Sequence, residues 1–125
     1  MNILVDSSVW IDYFKSGIHS AILDCYITEN LICINDLVLA ELIPFLKIKK
    51  QHHLIQLLYD VTHIPLKVDW QKIINYQTIC LKNGIHRVGI PDLIILDSVI
   101  QNELTLFTFD KHFGLISKHV AFNLL

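Results

Sequence analysis

The chain has 125 residues, 53% apolar and 18% charged, a balance that excludes a disordered segment and allows one core without staples. Its net charge of −2 lacks the overall basic footprint of a dedicated nucleic-acid binder, without excluding a local basic patch. Asp36, Glu41 and the lysines at 47–50 break the apolar runs short of the roughly 20 residues a membrane span needs, and Asp6 interrupts any secretory leader. We therefore expect a single domain over residues 1–125, with no membrane span and a cytoplasmic location.

Taken in order, "NILV" is continuously apolar, as a central parallel strand requires. Ser7 or Ser8 can cap a following helix, in which Val9, Trp10, Tyr13 and Phe14 recur at helical spacing up to Gly17. Ala21 to Ile27 predict a short second helix, and "LICI" a second buried strand. Asn35 or Asp36 can cap "LVLAELI", where Leu37, Ala40 and Glu41 share a face and Pro44 should kink or end the helix.

Helix is expected again through "HHLIQLLYDV", followed by a weak strand at "THIPL". An amphipathic helix runs from Asp69 to Lys82, closed by Gly84. Pro91 suits the first position of "DLIILDSVIQN", which is apolar almost all round and so should be buried. "LTLFTFD" is a third strong strand, "HFGLI" a short helix and "VAFNLL" a final edge strand. Strands alternating with helices predict a three-layer α/β/α fold around a mostly parallel sheet. Cys25, Cys33 and Cys80 are odd in number and widely spaced, which fits buried free thiols in a reducing compartment.

Two of the strong strands end on an aspartate, Asp6 and Asp110, at the edge of a parallel sheet where ligands bind. Asp92 stands in the first turn of a buried helix, and Glu41 on an apolar helix face where an unpaired carboxylate is costly. Each aspartate alone reads equally as a helix cap or a dipole residue. Together, four carboxylates from four separate elements point to one acidic cluster. Such charges repel by roughly 4 kcal/mol per close pair at a protein's effective dielectric, unless protons or a cation neutralise them. Oxygen ligands alone select a hard ion, Mg²⁺ or Mn²⁺, and phosphodiester hydrolysis is the chemistry these parts suit.

"ILVDSSVWIDYF", "LVLAELI" and "IPDLIILDSVIQNELTLFTFDKHF", in that order, resemble the PIN-domain family, and within it the VapC-type toxins of bacterial toxin–antitoxin pairs. The resemblance covers nearly the whole chain and is most specific from Pro91 to Phe113. It implies an Mg²⁺- or Mn²⁺-dependent endoribonuclease that leaves a 3′-hydroxyl and a 5′-phosphate, forms a homodimer and is held inactive by a VapB-type antitoxin. It makes Asp6, Glu41, Asp92 and Asp110 the catalytic positions. Asp6, Asp92 and Asp110 hold the metal, and Glu41 reaches it through water or helps a second ion. Ser8 and Thr108 match hydroxyl positions that hold the cluster or its waters, though a cap and a plain strand residue are the equal alternatives.

Arg87, the chain's single arginine, precedes the Asp92 motif and could meet an RNA phosphate or an antitoxin carboxylate. Asp97 departs from the family pattern. It lies ~140° round the helix from Asp92 and is expected to be an exposed or capped carboxylate. His52, His53, His86 and His112 show no i, i+4 metal pairing and are expected at the surface or core edge. The alternative function is a PIN-fold binding module without useful nuclease activity, acting through an antitoxin or a nucleic acid. A phosphoacceptor receiver domain is disfavoured, because mid-chain Asp60 and Asp69 fall outside the strong strands.

Overall fold

The computed structural model describes residues 2–15, 17 and 20–125. Its five strands are β1 (Ile3–Val5), β2 (Ile32–Ile34), β3 (Thr62–His63), β4 (Thr105–Phe107) and β5 (Asn123–Leu124). They form one sheet in the order β3-β2-β1-β4-β5, and every pairing is parallel. Parallel neighbours need crossovers, which the helices supply. These are α1 (Ser7–Phe14), α2 (Ser20–Thr28), α3 (Asp36–Ile48), α4 (His52–Asp60), α5 (Trp70–Lys82), α6 (Ile90–Gln101) and α7 (Lys111–Ile116).

Ile3, Leu4 and Val5 are all fully buried. Successive strand residues point to opposite faces, so both faces of the sheet are covered and the architecture is α/β/α. The weak strand expected at "THIPL" and the edge strand expected at "VAFNLL" shorten to two paired residues each, on the two rims of the sheet. α6 buries Leu93, Ile95, Leu96 and Val99, as its all-round apolar pattern requires.

Helix starts follow side-chain chemistry. Asn35 Oδ1 accepts the Val38 N–H at 3.0 Å, which settles Asn35 rather than Asp36 as the cap of α3. Asp69 caps α5 in the same way through the Lys72 N–H.

Two expectations change here. Of the two outcomes expected at Pro44, a kink or an end, the end does not occur, because α3 continues through it to Ile48. Pro44 and Ala40 both face solvent, so the Ala40 carbonyl that proline cannot serve is open to water, while Val38, Leu42 and Leu46 hold the other face on the core. The three thiols are free, but Cys25 is exposed on α2 and only Cys33 and Cys80 are buried.

The strand order creates a switch point. From β1 the chain steps outward to β2 and β3, then returns past β1 to β4 and β5. The C-terminal ends of β1 and β4 therefore lie side by side, and the Asp6 N–H donates to the Phe107 carbonyl at 2.9 Å. A crevice at such an edge is where open parallel sheets place their ligands.

Candidate functional site

Asp6 leaves β1 and caps α1, its Oδ1 accepting the Ser7 N–H at 2.8 Å. Its side chain is buried, so its other oxygen also needs donors. Thr108 Oγ1 supplies one at 2.8 Å and Ser8 Oγ another at 3.2 Å, both to Oδ2. Each hydroxyl is itself held from behind. The Phe109 N–H donates to Ser8 Oγ and the Asp110 N–H to Thr108 Oγ1, both at 3.0 Å. The segment after β4 is thus pinned to the start of α1 through the two hydroxyls around Asp6.

Asp110 caps α7. Its Oδ1 accepts two donors from one residue, the His112 N–H at 2.9 Å and His112 Nδ1 at 2.8 Å. Asp92 sits in the first turn of α6 and its Oδ2 accepts the Gly89 N–H at 3.2 Å. Asp92 Oδ1 and Asp110 Oδ2 take no hydrogen bond among the described residues. The capping reading and the cluster reading are therefore compatible. In Asp92 and Asp110 one oxygen serves a helix start, and that bond leaves the other free.

Glu41 is placed differently from expectation. It lies at the exposed margin of α3 beside the buried Leu42, rather than inside an apolar face. Its Oε2 accepts from Ser7 Oγ at 3.3 Å, which links α3 to the Asp6 cap. Burial raises its carboxyl above its ordinary range, and the charges of Asp6 and Asp92 raise it further. Burial likewise pushes Asp92 up, with Asp110 and Asp6 adding to the shift while Gly89 and His112 oppose it. Asp6, Glu41, Asp92 and Asp110 thus form one electrostatically connected group at the C-terminal edge of the sheet. Among the described residues, no three His, Cys, Asp or Glu side chains already close on a common point as a metal site.

Arg87 lies outside this group, exposed in the loop between α5 and α6 with a left-handed φ of 66°. It precedes Gly89, the donor to Asp92, by two residues. Asp97 is neither exposed nor a cap. It is 2% exposed, accepts Gln101 Nε2 at 2.6 Å and leaves Oδ1 without a partner. It faces α5, where Lys72, Asp69 and Tyr76 surround it, and burial raises its pKa.

Two side chains at the site escaped the sequence reading. His112 reads from the sequence as a surface or core-edge residue without a metal pair. Its spacing two residues after a capping aspartate was the usable signal, since the cap and the second helical residue lie within reach of each other. Ser7 reads from the sequence as a possible cap, and the chain pattern holds nothing that pairs it with Glu41.

Beside the cluster, an apolar groove of ≈ 440 Å³ runs between α1, α3 and α4, lined by Ile11, Phe14, Phe45, Leu46 and Leu54. Glu41, Lys15 and Lys49 add charge to its lining. A second apolar feature lies on α5, where Trp70, Ile74 and Leu81 are each more than half exposed. Among the described residues no helix is long and apolar enough to cross a membrane.

A family model described as PIN domain matches residues 3–118. No curated protein sequence matches the chain. Among solved structures, VapBC2 from Rickettsia felis bound to a DNA fragment from its promoter is similar at a TM-score of 0.78 and 22% identity, over 100% of this chain and 98% of that one. FitAcB from Neisseria gonorrhoeae follows at 0.72 and 19%, over 98% and 96%. DNA-bound VapBC from Salmonella typhimurium gives 0.71 and 14%, over 100% and 97%. At these identities the likeness is one of fold.

Proposed function

The chain belongs to the PIN-domain family, and from that premise we propose that it is a VapC-type toxin, a divalent-metal-dependent endoribonuclease that hydrolyses RNA phosphodiester bonds. The observation that carries this reading is the linkage of four carboxylates around the β1–β4 switch point. Ser7 bonds both Asp6 and Glu41, Thr108 bonds Asp6 and the Asp110 N–H, and Asp92 and Asp110 each keep one oxygen free of hydrogen bonds among the described residues. Burial and the neighbouring acids raise Asp92 and Glu41. A group of acids that destabilises its own charges is suited to a cation.

The residues fit Mg²⁺ or Mn²⁺. The free Asp92 Oδ1 and Asp110 Oδ2, with Asp6 between two hydroxyls, offer hard oxygen ligands, and Glu41 stands further out on its Ser7 tether. Mg²⁺ keeps several of its waters, so carboxylates too far apart to converge directly can hold it through them. When bound, such an ion would supply Lewis acidity toward water and a phosphoryl oxygen. The chain's own part is orientation. Thr108, Ser8 and the Ser7 N–H stop Asp6 from rotating, and the Gly89 N–H holds one oxygen of Asp92 and leaves the other free. To Arg87, exposed ahead of the Asp92 helix, we assign contact with an RNA phosphate or a partner's carboxylate.

The partner in this reading is a VapB-type antitoxin, since several structures of the same fold are toxin–antitoxin complexes. We assign its amphipathic helix to the α1–α3–α4 groove, whose mostly apolar lining includes Glu41, so that a basic side chain of the partner can meet an acid of the group there. The exposed α5 stripe supports a homodimer, because monomers seldom leave such apolar surface open. A toxin acting on cellular RNA works in the cytoplasm.

The test is cleavage of RNA by the purified chain with Mg²⁺ or Mn²⁺, with mapping of the new ends, against Asp6→Asn. Cleavage that stops in EDTA and in the variant is expected. Undiminished cleavage by the variant would refute the reading, and metal binding without cleavage would favour a binding module.

A further inference from the structure

Resting on the metal-dependent reading above, we propose that His112 is the positioning residue of Asp110. It holds one carboxylate oxygen so that the other alone is presented to the ion. The geometry is specific. Asp110 Oδ1 receives both the His112 backbone N–H at 2.9 Å and the ring nitrogen Nδ1 at 2.8 Å, a two-point grip from one residue on one oxygen. An ionised carboxylate only accepts, so the ring must carry its proton on Nδ1.

The backbone bond alone would leave the carboxylate free to rock about it. The ring bond removes that freedom, because its donor is tied to the same turn of α7 as the backbone donor. His112 also lowers the pKa of Asp92, so it lies within electrostatic reach of a second carboxylate of the group. Asp6 is held by Thr108 and Ser8, and Asp92 by Gly89. His112 completes the set, so that each of the three aspartates has a dedicated orienting donor. Partners of this kind around a metal ligand typically contribute 10–100-fold to metal affinity.

Two substitutions separate the ring nitrogens. In His112→Asn the amide N–H₂ stands where Nδ1 stood, whereas in His112→Gln it reaches toward the position of Nε2. Calorimetric titration of the full chain with Mn²⁺ should show roughly 10–100-fold weaker binding for His112→Gln and near wild-type binding for His112→Asn. Thermal unfolding in EDTA should leave both variants folded, as expected for a partly exposed side chain.

Equal binding by all three proteins, or equal loss in both variants, would overturn the proposal while leaving the metal reading intact. No Mn²⁺ heat from the wild type would overturn both. Should the variants not fold, the ring ¹⁵N spectrum of the wild type at mildly alkaline pH decides. A proton on Nδ1 supports the clamp, and a neutral ring protonated on Nε2 rejects it.

Discussion

Thr108 Oγ1 donates to Asp6 Oδ2 at 2.8 Å across 102 residues of chain. The same oxygen accepts the Asp110 N–H, so one hydroxyl joins the end of β1 to the cap of α7. A hydrogen bond to a buried charged group contributes about 1.5–3 kcal/mol. Thr108→Val keeps the shape and removes both bonds. We expect it to lower stability by about 2 kcal/mol and to weaken Mn²⁺ binding, with Thr108→Ser restoring most of each. Urea unfolding at unchanged m-value measures the first effect, and a Val variant as stable as wild type would contradict it.

Asp92 is pushed up by burial and by the charges of Asp110 and Asp6. Its charge therefore opposes folding in metal-free buffer, while the same charge would hold the ion. Asp92→Asn keeps an oxygen for the Gly89 N–H and drops the charge. In EDTA it should melt at or slightly above the wild-type temperature, by about 2 °C. In Mn²⁺ it should lose most of the metal-induced rise and cleave RNA at least about 100-fold more slowly. A full metal-induced rise in the variant would remove Asp92 from the ligand set.

The pH dependence has opposite signs with and without metal. Glu41 and Asp92 have ordinary values of 4.5 and 3.8, and folding raises both. Between those values and the raised ones the folded chain binds more protons than the unfolded chain, so metal-free stability falls as pH rises through that window and levels above it. Metal binding needs the deprotonated groups, so Mn²⁺ affinity should rise across the same window. Exposed Glu41 should contribute less than Asp92 because water screens it. Unfolding curves collected in EDTA and in Mn²⁺ should therefore diverge with increasing pH, and parallel curves would argue against a shared origin.

Phe45 is 56% exposed on the groove wall, with Lys49 Nζ 5.8 Å from its ring centre. An aromatic side chain this open contributes little to the core and much to a docked helix. Phe45→Glu should leave stability within about 0.5 kcal/mol and weaken a VapB-type antitoxin by about 2 kcal/mol, roughly 30-fold. Titration of the labelled antitoxin against both proteins measures this. Unchanged affinity would place the helix elsewhere.

The layered fold was legible because each strong strand is a short apolar run between turn or capping residues, and α6 is apolar on every side. Asp6 and Asp110 could be placed at neighbouring strand ends because β1 and β4 are parallel and paired. What stayed hidden depends on which surface a residue meets after folding. Pro44 reads as a breaker until its unserved carbonyl is seen to face water. Glu41 reads as buried until α3 is turned on its axis. The grip of His112 on Asp110 depends on a side-chain rotamer, which no spacing encodes.

Asp97 was the residue furthest from expectation, and it yields the sharpest stability test. Its carboxylate is 2% exposed, with Gln101 on Oδ2 and nothing on Oδ1. Burial raises its pKa and the charge of Asp69 adds to that, while Lys72, Gln101 and the Asp69 backbone oppose it. An unserved buried polar atom costs about 1–3 kcal/mol. In Asp97→Asn the buried charge is gone while the remaining oxygen still accepts from Gln101. The variant should gain about 1 kcal/mol at neutral pH. Because the folded pKa is raised, the wild type recovers that difference as pH falls toward the ordinary value of 3.8, where both forms are neutral. Urea unfolding of the two proteins at neutral and acid pH measures the closing gap. A variant less stable at neutral pH would mean that the attraction to Lys72 outweighs the cost of burying the charge.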